Sequence, residues 1–453
     1  MFFILYALLF RKLNTEWGRI QTITDSVVGS SFGRSVAISN SKERIVVGAD
    51  GEQDGRIYVY DYTFVRQWNR SAVISPKSNS DIFINSLGYT VSISSDGNRI
   101  IAGAPKSRVD GADVGCVIIF DYIDNTWIQN DPVCPEPASN IHGFGHILTT
   151  SMDCKYFATA THNSNFDIEI NNTGMVFISS EGVDRKWSTP KALISLDKVE
   201  ANYGTDLHFL DASTILVAVD DLKIGTLIYK RNANNEWIQK DRILPIPLDN
   251  WTKEGITNYG KHIAMPSVDN SIMAITATKD TQKAGFAFIL KKNKKKWELM
   301  SHVVFPEKAF LDDVFFCDVE YLASPSKLNN NGIGAVNLFK KVDQKFVFTE
   351  TISPAENENI KTFGSSFTWN SRCNRFVVGA TGDHFTKGSI FIYSRFGRYF
   401  YRYNINKQDT KSMAIIICSS IIIFALVIII AISIAFLFMK YNQVRDLQPV
   451  SVD

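Results

Sequence analysis

Residues 31–62, SFGRSVAISNSKERIVVGADGEQDGRIYVYDY, and residues 86–122, SLGYTVSISSDGNRIIAGAPKSRVDGADVGCVIIFDY, are two copies of one pattern. Each copy opens on a large apolar residue followed by Gly. A short strand follows, then a tight turn, a strand ending in small residues, a longer loop, and a Gly that opens a β-branched and aromatic strand. Further copies start at Phe144-Gly145, Tyr203-Gly204, Tyr259-Gly260, a degraded Phe310-Leu311, and Phe363-Gly364. From Phe32 and Leu87 onward the starts are spaced by 55, 57, 59, 56, 51 and 53 residues, which makes seven units.

The internal order holds from unit to unit. Small residues end the second strand at Val47-Gly48-Ala49, Ala102-Gly103-Ala104-Pro105, Ala323-Ser324-Pro325 and Gly379-Ala380. The third strand begins at Gly55, Gly115, Gly174, Gly225, Gly285, Gly334 and Gly388. Trp17, Trp68, Trp127, Trp187, Trp237 and Trp297 recur just after that strand, with Phe346 in the same place in unit six, and mark a fourth, outer strand. Four short antiparallel strands per unit, repeated radially, make a propeller blade. Glycines serve the crowded axis, where backbones approach closely, and aromatics bury area between blades. The fold class expected is all-β, a seven-bladed β-propeller followed by one C-terminal transmembrane α-helix. Unit seven has three clear strands, so the strand around Trp17 is expected to complete it and close the ring, with residues 398–402 as the competitor.

The membrane segment is 413–439, MAIIICSSIIIFALVIIIAISIAFLFM, with no ionisable group except the Cys418 thiol, between Lys411 and Lys440. About 20 helical residues cross the hydrocarbon layer, so this stretch is long enough to span. The domains expected are a signal-like leading segment (1–16), the propeller (17–396), a juxtamembrane stalk (397–412), the span (413–439) and a short tail (440–453). Arg395, Arg398, Arg402, Lys407 and Lys411 before the span favour a cytosolic propeller on the positive-inside rule, which loses force next to a long domain. The sequons at Asn69, Asn171 and Asn250 are glycosylation candidates if the propeller is extracellular or lumenal, and that is the orientation adopted.

The motifs Phe32-Gly33, Val47-Gly48-Ala49, Gly55 through Tyr60, Ala102-Gly103-Ala104-Pro105 and Gly115 through Phe120 resemble the FG-GAP repeats of integrin-α-subunit N-terminal propellers. The resemblance covers residues 17 to 400, is strong in units one, two and seven, and fades in units three to six. It implies an extracellular propeller that binds proteins or matrix above a single span. Many FG-GAP repeats carry a calcium loop between the first two strands, because a hard cation takes six to eight oxygens. Here the corresponding turns, such as Ser41-Lys42-Glu43 and Ser95-Asp96-Gly97-Asn98, supply too few. No cofactor or metal is expected, and no catalytic residues.

The remaining candidates are weaker. His142 and His146 are four apart on a loop and strand, a spacing that does not align two imidazoles there. Asp50, Asp54, Asp110, Asp113, Asp220, Asp221 and Asp383 recur in the long loops and are read as solvating turns. Lys291 to Lys296 reads as a solvated hairpin between the third and fourth strands of unit five. Five cysteines outside the span leave at least one unpaired. Cys134 with Cys154 is the disulfide expected, with Cys116 the other partner open to Cys134. Tyr441 and Val444 frame a tyrosine-type sorting signal.

With 48 Lys and Arg against 46 Asp and Glu, the net charge is +2, which argues against nucleic-acid binding. The sequence reading is therefore a non-catalytic, membrane-anchored propeller that binds a protein or glycan through its loops in adhesion or recognition. The alternative is a tail-anchored cytosolic propeller acting as an assembly scaffold.

Overall fold

The computed structural model describes residues 17–395 except 65, 137–140, 162–173, 197–202, 222, 245–255, 258, 267–268, 280–283, 295, 306–312, 328–331, 356–357, 359 and 383–386. The span, the stalk, the leading segment and the sorting signal at Tyr441 and Val444 lie outside the described residues, as does the competing strand at 398–402. No helix among the described residues is long and apolar enough to cross a membrane.

Among the described residues, seven antiparallel sheets follow one another along the chain, each built on a four-strand path. Blade 1 is Ser35–Ile38, Arg44–Ala49, Arg56–Tyr62 and Trp68–Ile74, and blade 2 is Thr90–Ile93, Arg99–Ala104, Cys116–Ile123 and Thr126–Gln129. Blade 7 takes Phe363–Trp369, Arg375–Ala380 and Lys387–Arg395 from the end of the repeat region and Trp17–Val28 from its start. Trp17 pairs with Arg395 and Thr24 with Ser389 in that closing register. The expected N-terminal closure is what the strand order shows. In blade 3 the sheet's fourth strand is Lys191–Ala192, later than the Trp187 marker, which forms an isolated bridge with Glu181.

The second strand of blade 1, Arg44–Ala49, is buried along its whole length because both faces are covered by neighbouring blades. Ile45 and Val47 join Val377, Ile390 and Ile392 of blade 7, whereas Val46 joins Leu87, Ile100 and Ala102 of blade 2. Alternate residues of one strand thus serve two seams, as a period of two requires. Equivalent clusters bridge blades 2 and 3, 3 and 4, 4 and 5, 5 and 6, and 6 and 7, so the seams run around a closed ring.

At the seams the chain needs glycine. A Cβ on Gly48 would lie 1.8 Å from the Gly88 carbonyl oxygen of the next blade, and one on Gly55, whose φ is +90°, would lie 2.2 Å from the Leu87 nitrogen. Neither contact is sterically possible. The same geometry recurs for Gly103 against Gly145, and for Gly379 against Gly33 across the closing seam.

Arginines at the start of the second strand brace the opposite ends of the strong blades. Arg44 pairs with Asp61 of its own blade and donates to the Gly97 carbonyl of the next at 2.8 Å. Arg99 pairs with Asp121 at 2.6 Å and with Glu181 of blade 3 at 2.7 Å, and Arg375 pairs with Glu43 across the closing seam.

A small three-stranded sheet was not legible as structure in the sequence. Ile82–Phe83 pairs with the hairpin Arg108–Val109 and Ala112–Asp113, which turns at Asp110-Gly111 with both φ angles positive (48° and 82°). Asp-Gly is the pair such a type I′ turn favours.

Trp17 is 4% exposed and meets Trp369 edge-on at 5.3 Å and Tyr321 at 6.2 Å. Trp17→Ala is expected to lower unfolding free energy by about 3–5 kcal/mol, as large-to-small core substitutions do. Equilibrium denaturant unfolding reads this, and a loss under about 1 kcal/mol would mean the strand does not hold the ring shut.

Candidate functional site

The third residue after each blade's opening apolar residue sits on or just before the innermost strand, opposite the small-residue position of the second strand. Register places Ser35 against Gly48, Thr90 against Gly103, Ile147 against Ala160 and Ser366 against Gly379. In blades 1, 2 and 7 this residue is a hydroxyl that donates across the seam: Ser35 to the Gly88 carbonyl at 2.8 Å, Thr90 to Gly145 at 3.0 Å and Ser366 to Gly33 at 2.8 Å. It is a latch between neighbouring blades.

In blades 4, 5 and 6 the same position holds Asp206, His262 and Asp313. One ligand-type atom from each lies within 4.8 Å of the others. His262 Nδ1 is 4.0 Å from Asp206 Oδ2 and 3.7 Å from Asp313 Oδ1. Asp206 Oδ2 still latches the seam by accepting from the Ile263 amide at 2.9 Å, while Oδ1 accepts from Leu207 at 2.7 Å. Asp313 Oδ1 accepts from Val314 at 2.8 Å. Burial pushes the Asp206 carboxyl up to about 7 and pulls the His262 imidazole down to about 3, the latter helped by the nearby Lys261 and Lys327 charges. An adjoining cavity of about 330 Å³ is lined by Asp206, His208, Asp313, Phe315, Trp369 and Asn370 among others.

The sequence reading missed these three residues. They are separated by 56 and 51 positions, so no local motif contains them. The signal was in the repeat phase: each is the third residue after its unit's aromatic.

The sites that the sequence did single out are dispersed. Asn69 is exposed on the outer strand of blade 1, while Asn171 and Asn250 lie outside the described residues. His142 Nδ1 is 2.9 Å from the Asp113 carbonyl and His146 Nε2 is 2.7 Å from the Tyr89 hydroxyl, so the two imidazoles serve separate bonds. Arg34 stacks on that same Tyr89 ring at 4.1 Å.

The loop acids do not converge on one place. Asp113 pairs with Arg108, Asp221 receives the Lys223 amide, the Asp54 carbonyl receives Leu87, and Asp110 sits in the Asp-Gly turn. Asp50 and Asp220 are half-buried at the ends of second strands, and burial raises both carboxyls. Asp383 lies outside the described residues. Lys291 and Lys292 end the third strand of blade 5 and Lys296 opens the fourth, all exposed, with Lys292 over the Trp297 ring at 5.8 Å.

The expected disulfide is corrected. Cys134 bonds Cys116, and Cys154 is free and buried. The bridge between Val117 and Val133 sets the following Cys134 beside Cys116, whereas Cys154 is sealed among Ile101, Phe144 and Phe157. A second disulfide, Cys317–Cys373, joins the inner strand of blade 6 to the first turn of blade 7 across 56 residues. In the chain-entropy account a loop of that length contributes roughly 4 kcal/mol.

Burial pushes the Cys154 thiol up to about 11. Iodoacetamide is therefore expected to modify Cys154 only after denaturation, read by peptide mass spectrometry. Rapid labelling of the native chain would contradict the burial.

Residues 17–60 match the model of the FG-GAP repeat family. No curated protein matches the chain. Among solved structures it is similar to a protein from Lactobacillus plantarum, with 12% identity over 70% of this chain and 84% of that one and a TM-score of 0.46. It is also similar to the periplasmic gluconolactonase of Pseudomonas aeruginosa (11% identity, 70% and 84% coverage, TM-score 0.43). A third is Sqt1 from Chaetomium thermophilum (10% identity, 79% and 83% coverage, TM-score 0.46).

Proposed function

We propose that this FG-GAP repeat propeller is a non-catalytic binding module on the extracellular or lumenal side of a membrane. Residues 413–439 would hold it there, and its blade-end loops would engage a protein or glycan in adhesion or recognition. The observation that carries the orientation is the pair of disulfides, Cys116–Cys134 and Cys317–Cys373. Such bonds persist in oxidising compartments and are rare in the cytosol, where thiols are kept reduced. A cytosolic scaffold would gain nothing from them.

Two further features support the reading. Residues 413–439 carry no charge over a length sufficient to span, which favours membrane anchoring on hydropathy alone. A ring of packed blades with loops at its ends suits recognition, since binding residues concentrate on loops positioned by a scaffold. The hairpin at Arg108–Val109 and Ala112–Asp113 is such a loop, with Arg108 and Asp113 both exposed.

Expressed in eukaryotic cells, the full chain is expected to run larger than its peptide mass and to collapse to it on N-glycosidase treatment. Combined Asn69→Gln, Asn171→Gln and Asn250→Gln substitution should abolish the shift. An unglycosylated chain whose blades are digested by protease added to the cytosolic face of sealed microsomes would reject the orientation.

A further inference from the structure

Asp206, His262 and Asp313 replace the seam hydroxyls in three successive blades, and the replacement changes what the axis can bind. Two ligands about 2.1 Å from a shared ion stand about 3.0 Å apart at a right angle and about 3.4 Å apart at the tetrahedral angle. The His262 Nδ1 separations of 4.0 and 3.7 Å lie about 0.6 and 0.3 Å beyond the tetrahedral value, a difference that small side-chain rotations would close. Asp206 Oδ1 and Oδ2 and Asp313 Oδ1 each accept a backbone amide, and an ionised carboxylate, which offers about four lone-pair sites, can ligate an ion as well.

The three side chains are neither sealed nor on the open surface: Asp206 is 23%, His262 17% and Asp313 37% exposed, beside the axial cavity. One imidazole with two carboxylates is a borderline donor set, suited to a divalent transition metal more than to calcium.

We propose that Asp206, His262 and Asp313 form a binding site for one divalent transition-metal ion, with Zn²⁺ as the reference ion, at the propeller axis between blades 4, 5 and 6. Three protein ligands leave an open coordination position facing the cavity, which water or the carboxylate of a bound molecule would fill. The ion would also couple three blades at the positions where blades 1, 2 and 7 use hydroxyl latches. Lys261 and Lys327 lie near His262 and oppose the cation, so the site depends on both carboxylates.

The test uses the full chain in detergent, freed of metal by chelator and titrated with Co²⁺ alone while visible absorption is recorded. One equivalent of Co²⁺ is expected to give a d–d band that Zn²⁺ displaces, because Zn²⁺ binds such sites more tightly. His262→Gln and Asp313→Asn should each weaken Co²⁺ binding by at least about tenfold. Ser366→Ala, at the same register position in blade 7, should leave it unchanged. Zn²⁺ should raise the melting temperature of the unsubstituted chain, a readout that needs no variant to fold. Absence of a Co²⁺ band and of any Zn²⁺-dependent melting shift in the unsubstituted chain overturns the proposal. Co²⁺ affinity in both ligand variants equal to that of the unsubstituted chain overturns it too, by placing the ion elsewhere.

Discussion

At the three seams that join blades 7, 1, 2 and 3, neighbouring blades touch backbone to backbone, and the most regular part of the ring is arranged around that contact. The glycine near the end of one second strand meets the glycine that opens the next blade: Gly48 with Gly88, Gly103 with Gly145, and Gly379 with Gly33. No side chain fits between them. Because the inner strands sit this close, the residue facing each glycine can reach the next blade, which is why Ser35, Thr90 and Ser366 latch to its carbonyls. The second and third strands, covered on both sides, read as continuous apolar runs.

The ring is not uniform. Blades 7, 1 and 2 have the glycine pairs, the hydroxyl latches and the arginine braces. Blades 4, 5 and 6 carry Ala218, Thr276 and Pro325 near the corresponding point of the second strand and Asp206, His262 and Asp313 opposite. The seam between blades 6 and 7 gains other ties: the Cys317–Cys373 disulfide and the aromatic cluster of Trp17, Tyr321, Trp369 and Phe376. Where the repeat degrades, covalent and aromatic contacts replace part of the close backbone fit.

Much of this architecture was readable in one sequence because a repeat shows its constraints seven times. The aromatic-glycine starts located the blades, the tryptophans located the outer strands except in blade 3, and a lone Trp17 without its own blade gave the closure. What could not be read depends on distances between units. Cys116 and Cys154 stand 18 and 20 residues from Cys134, so spacing could not choose between them; the Val117–Val133 bridge does. Cys317 and Cys373 meet only because blades 6 and 7 share a seam. The axial Asp206, His262 and Asp313 become neighbours through the circular order of the blades. A search for local motifs passes over all three.

Glycine-to-glycine contact fixes the spacing at the three seams that join blades 7, 1, 2 and 3. Gly48→Ala tests it most directly, because Gly48 has no positive φ and the added methyl meets only its neighbours: the Gly88 carbonyl oxygen at 1.8 Å and Ser35 Oγ at 2.4 Å. Equilibrium denaturant unfolding should show a loss at or above the upper end of the usual overpacking range, about 3 kcal/mol. A change within about 0.5 kcal/mol, the level of an ordinary surface substitution, would contradict the claim.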